Sequence, residues 1–513
     1  MDPLNQLAIS TLATVLEATG VAFAGVLVAV AVLAGGSRIR AVAMAAALVV
    51  APLLLAVDIW NTPQGRFARE RPLLAAGGFV VMVVVVGLLA WLFYKKSSWL
   101  PIFAVVTLPF RLPIETDGQT ANLLLPLYLV IAAGAIAQVV RMWRSDELEH
   151  SRPPITLDWA VLGFAALYCL QAVYSSDISK AVEQISFFVV PFALLYALLR
   201  DAEWSLQLAK RCLYALVTLA VIFVAIGFYE YATRRLLFNP RVIDANQLAS
   251  YFRVNSLFFD PNIYGRFLAL VITLLAAAML WARRSSQVLL CALGVVVLLS
   301  GLVLTFSQSS FADLLVGLAV LGALRWGWKR ALAVVGALVV LGAVVLVAAP
   351  SVTKVQLGSA KSIDKALSGR VELLEGGIEL FTSQPVVGYG SGAFQFEYRD
   401  QNKGPETQAT SVSHTMPVTV AAEQGVIGLL AYLALLIIAL ITLLRGSSNS
   451  VQRAAVAAAF AGLLAHTLGY AAFLEDPLTW TLLAAGAALA AQARDRSPRE
   501  LEPEPPVSTQ RQL

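Results

Sequence analysis

Charge is scarce in this chain. Asp, Glu, Lys and Arg make up 13% of its 513 residues, against 59% hydrophobic residues. With a mean hydropathy of +0.76, a soluble fold of this length would lack the polar surface to cover itself. Histidine is scarcer still: His150, His414 and His466 are all there are. Cysteine is equally rare, with Cys169, Cys212 and Cys291, all inside apolar runs. No pair of cysteines has metal-ligand spacing, so they read as small apolar residues, and with so few histidines no zinc or haem site is expected. The segment MDPLNQ lacks a basic stretch and no A-x-A site follows the first apolar run, so no cleavable signal peptide is expected. The formal charge of +5 fits loops rich in Lys and Arg on one side of a bilayer, and does not imply nucleic acid.

What the chain has in abundance is apolar runs long enough to cross hydrocarbon, about fifteen of them. They fall near 13–34, 41–60, 73–94, 97–113, 121–141, 158–174, 181–199, 209–230, 263–282, 287–306, 309–326, 331–349, 418–444, 453–472 and 475–492. The expected fold is an all-α polytopic membrane protein. The fourth run is short and carries proline at both ends, so it reads as a half-helix or a re-entrant segment. Basic clusters at 141–152, 282–286, 327–331 and 493–500 alternate as cytoplasmic segments. That leaves two long loops outside, about 231–262 and 350–417. The first three runs give mixed signals, and the acidic N-terminus favours an outside start. The tail 497–513, rich in Pro and Glu, reads as disordered.

Basic residues on the translocated side run against topology bias. The loop 231–262 holds Arg234, Arg235, Arg241 and Arg253. Arg253, among aromatic and apolar residues in SYFRVNSLFFDPN, is the strongest candidate to meet an anionic ligand. In the second loop, apolar residues at Ile363, Leu367, Val371, Leu374, Ile378 and Phe381 predict a helix over 362–382, hence a structured cap. Position alone leaves Arg370 open between a ligand-binding role and a surface arginine paired with Glu372 or Glu375. GYGSG at 388–392 offers three glycines for close approach or positive φ, without the Lys of a phosphate-binding loop.

His414 stands just before a long apolar helix that Pro417 suits to begin. A helix N-terminus disfavours the protonated imidazole, and a neutral imidazole at the water boundary is a usable general base. Taken alone, His414 fits a structural hydrogen-bonder equally well. Glu423, roughly 14 Å further along a regular helix, should pair or protonate in apolar surroundings. Gly425 and Gly428 thin the same helix for close packing. Lys180, Glu183, Glu230, Asp313, Glu475 and Asp476 also gather at outer ends of the runs. Intramembrane acids such as Asp313 mark either function or pairing. His466 reads as a helix–helix hydrogen-bonder.

Four stretches together resemble the O-antigen ligase and polymerase superfamily of membrane glycosyltransferases. RVELL, from Arg370 to Leu374, is similar to its Arg-x3-Leu pattern. HTMPVTVAAEQG, from His414 to Gly425, is similar to its His-x10-Gly pattern. FTSQPVVGYGSGAF lies between them, and FFDPNIYGRFLAL resembles its entry into an earlier span. The resemblance implies a GT-C-like core of about twelve spans at 97–496, including the large outer loop 350–417, with 1–96 as an N-terminal extension of about three helices. It implies a polyprenyl-diphosphate-linked glycan donor and a glycan or lipid acceptor with a free hydroxyl; no cofactor is expected, and no metal, since no carboxylate cluster with ligand-like spacing occurs in the outer loops. Arg370 and Arg253 would then hold the diphosphate and His414 would act as base, with Glu423, Asp313, Gly425 and Leu374 supporting. Many members carry Ser-Arg where this chain has Ser307-Gln308, and Arg266 is the candidate replacement. A polymerase or a protein O-oligosaccharyltransferase stays open within the superfamily. A flippase for lipid-linked glycans is the alternative of a different class, but it would call for internal repeats and mid-membrane charges at broken helices. On this reading His414→Ala lowers transfer about 10²–10⁴-fold or more without loss of folded protein. A transfer assay that finds full activity in that variant removes His414 from the mechanism.

Overall fold

A computed structural model of the protein describes residues 3–58, 66, 69–116, 119–144, 152–237, 246, 252–333, 336–337, 370–401, 413 and 415–496. Among these, seventeen α-helices and one short hairpin are formed. Eleven helical segments are long and apolar enough to cross a membrane. The helices are α1 (Pro3–Leu33), α2 (Ser37–Asp58), α3 (Pro72–Lys95), α4 (Trp99–Thr107), α5 (Leu125–Arg144), α6 (Thr156–Gln171), α7 (Ile178–Gln184) and α8 (Val190–Arg200). They continue as α9 (Leu206–Thr233), α10 (Pro261–Leu280), α11 (Ser285–Thr305), α12 (Gln308–Trp326), α13 (Arg370–Ser383), α14 (Phe394–Gln401), α15 (Met416–Leu444), α16 (Val451–Thr467) and α17 (Pro477–Arg496). A π-helical turn, Ile185–Val189, joins α7 to α8. The short α4 is the half-helix that its flanking prolines predict, and it leads into strands β1 (Leu112–Thr116) and β2 (Gln119–Leu123), paired antiparallel with Leu112 opposite Leu123. No local pattern in the chain announces that hairpin. Most of the apolar run 331–349 lies outside the described residues.

Caps decide where several helices begin. Asp260 accepts a hydrogen bond from the Asn262 amide ahead of Pro261 at the start of α10, and Ser205 and Ser307 cap α9 and α12 in the same manner. One apolar core then runs through the bundle, from Val21 and Ala24 of α1 to Trp480 and Leu489 of α17. Helix α10 is central to it, with buried residues on every side. Helix α3 is the opposite case, exposed along most of its length. That suits a helix whose outer surface faces lipid.

An ionic cluster ties one end of the bundle. Arg40, at the start of α2, lies 2.7 Å from Asp201, and Arg200 lies 2.7 Å from the other oxygen of Asp201. Arg200 also donates to both carboxylate oxygens of Asp158, each at 3.0 Å. Tyr196 donates to the same carboxylate at 2.6 Å. Buried charges persist only when paired and hydrogen-bonded in this way. The cluster sets the α1–α2 turn at the same end as the α8–α9 turn.

The opposite end is organised by a break. Helix α15 leaves helical geometry at Gly425, with φ +63° and ψ −163°. The regular helix expected from the sequence is therefore interrupted, and Gly425 serves as the break point. Backbone groups freed by a break at membrane depth need other partners. The segment 385–390 provides them: Val426 N donates to Pro385 O (2.8 Å), Tyr389 N to Ala422 O (3.3 Å) and Gly390 N to Glu423 O (2.8 Å). A Cβ on Gly425 would lie 2.4 Å from the Val386 carbonyl carbon, and one on Gly388 (φ +67°) would lie 2.3 Å from Glu423 O. The inserted segment is held from its other side as well. Gln171 donates to Gln424 O (3.1 Å), Tyr174 to Val387 O (2.7 Å) and Ser391 to Tyr168 O (2.8 Å).

The cap helix α13 also departs from expectation. Its buried face is Gly376, Gly377 and Leu380, whereas Ile378 is 48% exposed. The two glycines decide the face. A Cβ on Gly376 would lie 2.2 Å from the Tyr398 ring, and one on Gly377 would lie 2.6 Å from Val418. Only that side lets α13 approach α14 and α15 closely.

Gly425→Ala should therefore cost about 1–3 kcal/mol from backbone strain alone, with the clash against Val386 added. Gly163→Ala, which meets no atom within 4 Å, is the control. Thermal unfolding of both variants in detergent should lower the melting temperature of the first far more than that of the second.

Candidate functional site

At the broken-helix end of the bundle, the α10 cap fixes Arg266 on the second turn, facing inward and 1% exposed. Its one ionic partner among the described residues is Asp476, with Nη1 3.1 Å from Oδ2. The contact is Coulombic in character, because neither Arg266 Nε and Nη1 nor Asp476 Oδ2 makes a hydrogen bond. The other oxygen of Asp476 accepts from Leu478 N at 3.2 Å and so fixes the start of α17. The Tyr470 ring lies 5.8 Å from the Arg266 guanidinium carbon. Asp313 of α12 is buried behind, within the field of Arg266 and Asp476. It is close enough to α16 that a Cβ on Gly462 would lie 2.3 Å from its Oδ1.

A second guanidinium shares this place. Arg111, on the turn between α4 and β1, lines a small pocket together with Arg266 and Asp476. Leu108, Phe258, Ile263, Phe267 and Leu478 form its apolar walls. Burial and then Arg266 work against the charge on Arg111, while Asp476 favours it. Sequence reasoning missed this arginine. Its signal was a lone cation between two prolines in LPFRLP, at the end of a half-length apolar run.

Arg253 is held nearby in the chain's order of contacts. It donates from Nε to Thr305 O (2.9 Å) and from Nη2 to Asn262 Oδ1 (3.1 Å). Asn262 Oδ1 also accepts from Ser307 (2.8 Å), and Ser307 touches Ser309, which meets His466 Nε2 at 3.2 Å. His466 thus links α12 to α16 as a helix–helix hydrogen-bonder.

Glu423 pairs with backbone. Its carboxylate accepts from Gly392 N at 3.0 Å and Phe394 N at 3.3 Å, at the N-terminus of α14. A polar track joins this point to Arg266. Ser391 reaches Tyr168 as noted, Tyr168 donates to Gln184 Oε1, and Gln184 Nε2 donates to Glu475 Oε1 at 2.8 Å, next to Asp476. Burial pushes the Glu475 carboxyl above its usual range, against the pull of Lys180.

The structure thus brings Arg266 and Asp313 together, links Arg253 to the start of α10, and sets Glu423 and Gly425 at the inserted turn. Arg370 is the first residue of α13, and Leu374, one turn on, is half-buried. His414 and the side chain of Arg370 lie outside the described residues.

Residues 293–433 match the family model described as O-Antigen ligase. Over that stretch the chain is similar to O-antigen ligases. The match runs from α11 into α15 and so contains Asp313, Arg370, Leu374, His414, Glu423 and Gly425. Arg111, Arg253, Arg266 and Asp476 lie outside the matched stretch, and their grouping rests on the structure. No curated protein matches the chain.

Glu423→Gln should leave one N–H facing an amide group in place of a carboxylate oxygen. The loss of a charge-assisted bond costs about 1.5–3 kcal/mol. Hydrogen exchange followed by mass spectrometry should show 385–401 opening faster, with α8 and α10 unchanged. Unaltered protection at 385–401 would show that these bonds do not hold the turn.

Proposed function

We propose that this protein is an O-antigen ligase-like enzyme that transfers a glycan from a polyprenyl-diphosphate carrier to an acceptor hydroxyl at the outer face of the cytoplasmic membrane. The observation that carries the reading is Arg266, a guanidinium buried at the end of the bundle whose ionic partner satisfies it incompletely. A guanidinium offers five donors in a planar fork suited to phosphate oxygens. In low dielectric it attracts an anion strongly.

In the reaction the bond between sugar C1 and the diphosphate oxygen breaks, and a bond from C1 to the acceptor oxygen forms. His414 takes the acceptor proton. Arg370, Arg253 and Arg266 stabilise the charge that grows on the departing diphosphate. Glu423 and Gly425 act at a distance, by seating the outer unit that carries α13 on the bundle. Asp313 and Leu374 support the arginines from behind.

A broken helix also occurs in transporters, where half-helix ends hold the cargo. Here the groups freed at Gly425 are taken by residues 385–390, which favours transfer over transport.

The test is in vitro transfer. Purified protein in nanodiscs receives a polyprenyl-diphosphate glycan with either lipid A-core or a second lipid-linked repeat, and the product is weighed. The reading predicts a new glycoside with one of them, and a drop of roughly 10²-fold or more in Arg266→Gln. Hydrolysis alone, or no reaction with either acceptor, would contradict it.

A further inference from the structure

We propose that Arg111 and Arg266 form a diphosphate subsite in which Asp476 is a resting counter-ion, displaced from Arg266 when the diphosphate enters. This deepens the proposed function and rests on it only for the identity of the natural ligand.

Arg266 is almost fully buried, and its Nε and Nη1 lack hydrogen-bond partners. The acid beside it fits poorly. Asp476 gives one oxygen to Leu478 N and turns the other toward Arg266 without making a hydrogen bond. A carboxylate built as a permanent partner would use both oxygens on the guanidinium fork. Asp476 instead divides its carboxylate between capping a helix and balancing a charge.

Arg111 is the second observation. Two guanidinium groups and one carboxylate line the same pocket. Like charges do not share a site in low dielectric without an anion to gain from it. Asp313 and Glu475 act on Arg266 and Arg111 from outside the pocket, and Glu475 is also engaged by Gln184. Apolar walls from Leu108, Phe258, Ile263, Phe267 and Leu478 suit the first carbons of a lipid chain attached to the phosphate. The free volume, about 10 Å³, holds no more than a water. A phosphate therefore enters only if something withdraws. Asp476, tied to α17 by the oxygen that does not face Arg266, is the group able to swing away while its helix start stays capped.

The chemistry recognised is a phosphate ester next to an apolar chain, which a lipid headgroup shares. The experiment uses full-length protein in phosphatidylcholine nanodiscs titrated with farnesyl diphosphate or inorganic pyrophosphate, and again in nanodiscs containing phosphatidylglycerol. Farnesyl diphosphate should bind more tightly than pyrophosphate. Asp476→Asn, which keeps the acceptor for Leu478 N, should bind farnesyl diphosphate about tenfold more tightly. Arg111→Gln should bind it about tenfold more weakly, the value of one charge-assisted hydrogen bond.

Unchanged binding in Arg111→Gln, or no gain in a folded Asp476→Asn, would overturn the proposal. If the Asn variant does not purify as folded protein, the Arg111→Gln titration decides alone. Competition by phosphatidylglycerol equal to that by farnesyl diphosphate would assign the pocket to headgroups and overturn the diphosphate assignment. Binding that follows the predicted pattern, in a protein that transfers no glycan, would leave the subsite standing and remove the transferase reading. Transfer that proceeds equally well in Arg111→Gln would do the reverse.

Discussion

The end of the bundle that holds the site depends on one constraint: a guanidinium taken out of water must be answered by an anion. Arg266 is buried on a helix whose start is fixed by Asp260 and Pro261, so it cannot retreat to the surface as a long cationic side chain near a helix end otherwise would. Asp476 answers it only in part. Arg111 adds a second cation to the same pocket. At the other end of the molecule, Arg200 and Asp158 show the alternative, with both carboxylate oxygens on one guanidinium. The contrast within one chain argues that the looser arrangement serves a ligand, since the fold is able to satisfy a buried arginine fully where only stability is at stake.

A second constraint shapes the segment 385–401. A helix broken at membrane depth exposes donors and acceptors that lipid cannot satisfy. Gly425 makes the break, and residues 385–390 take up the freed groups. That exchange fastens the unit of α13 and α14 to the bundle through backbone bonds, with Glu423 adding two more at the start of α14. The glycines at 376 and 377 then set the face on which α13 lies. The pattern that begins at Arg370 is thereby carried on a unit whose seat is backbone-defined.

Much of this was legible in the sequence, because bilayer thickness writes itself as run length. The apolar runs and the half-length α4 could be read directly. The pairing of His466 across helices could be inferred from a polar residue in an apolar run. The break at Gly425 could not, since a glycine in a greasy helix signals close packing equally well; only the partner strand of backbone at 385–390 distinguishes the two. The face of α13 was misread for a related reason. A 3.6-residue count of large apolar residues points to Ile378, but two glycines bring backbone to backbone more closely than any stripe of side chains allows. Arg111 escaped because its importance comes from residues far away in the chain, Arg266 and Asp476, and local context gives no hint of them.

The most direct measurement is an experimental structure of the full-length protein with a non-hydrolysable polyprenyl phosphonophosphate. The account predicts phosphorus density between Arg266 and its neighbouring arginines, with oxygens about 3 Å from guanidinium nitrogens and Asp476 turned away from Arg266. Phosphorus bound elsewhere, with Asp476 still against Arg266, would contradict it.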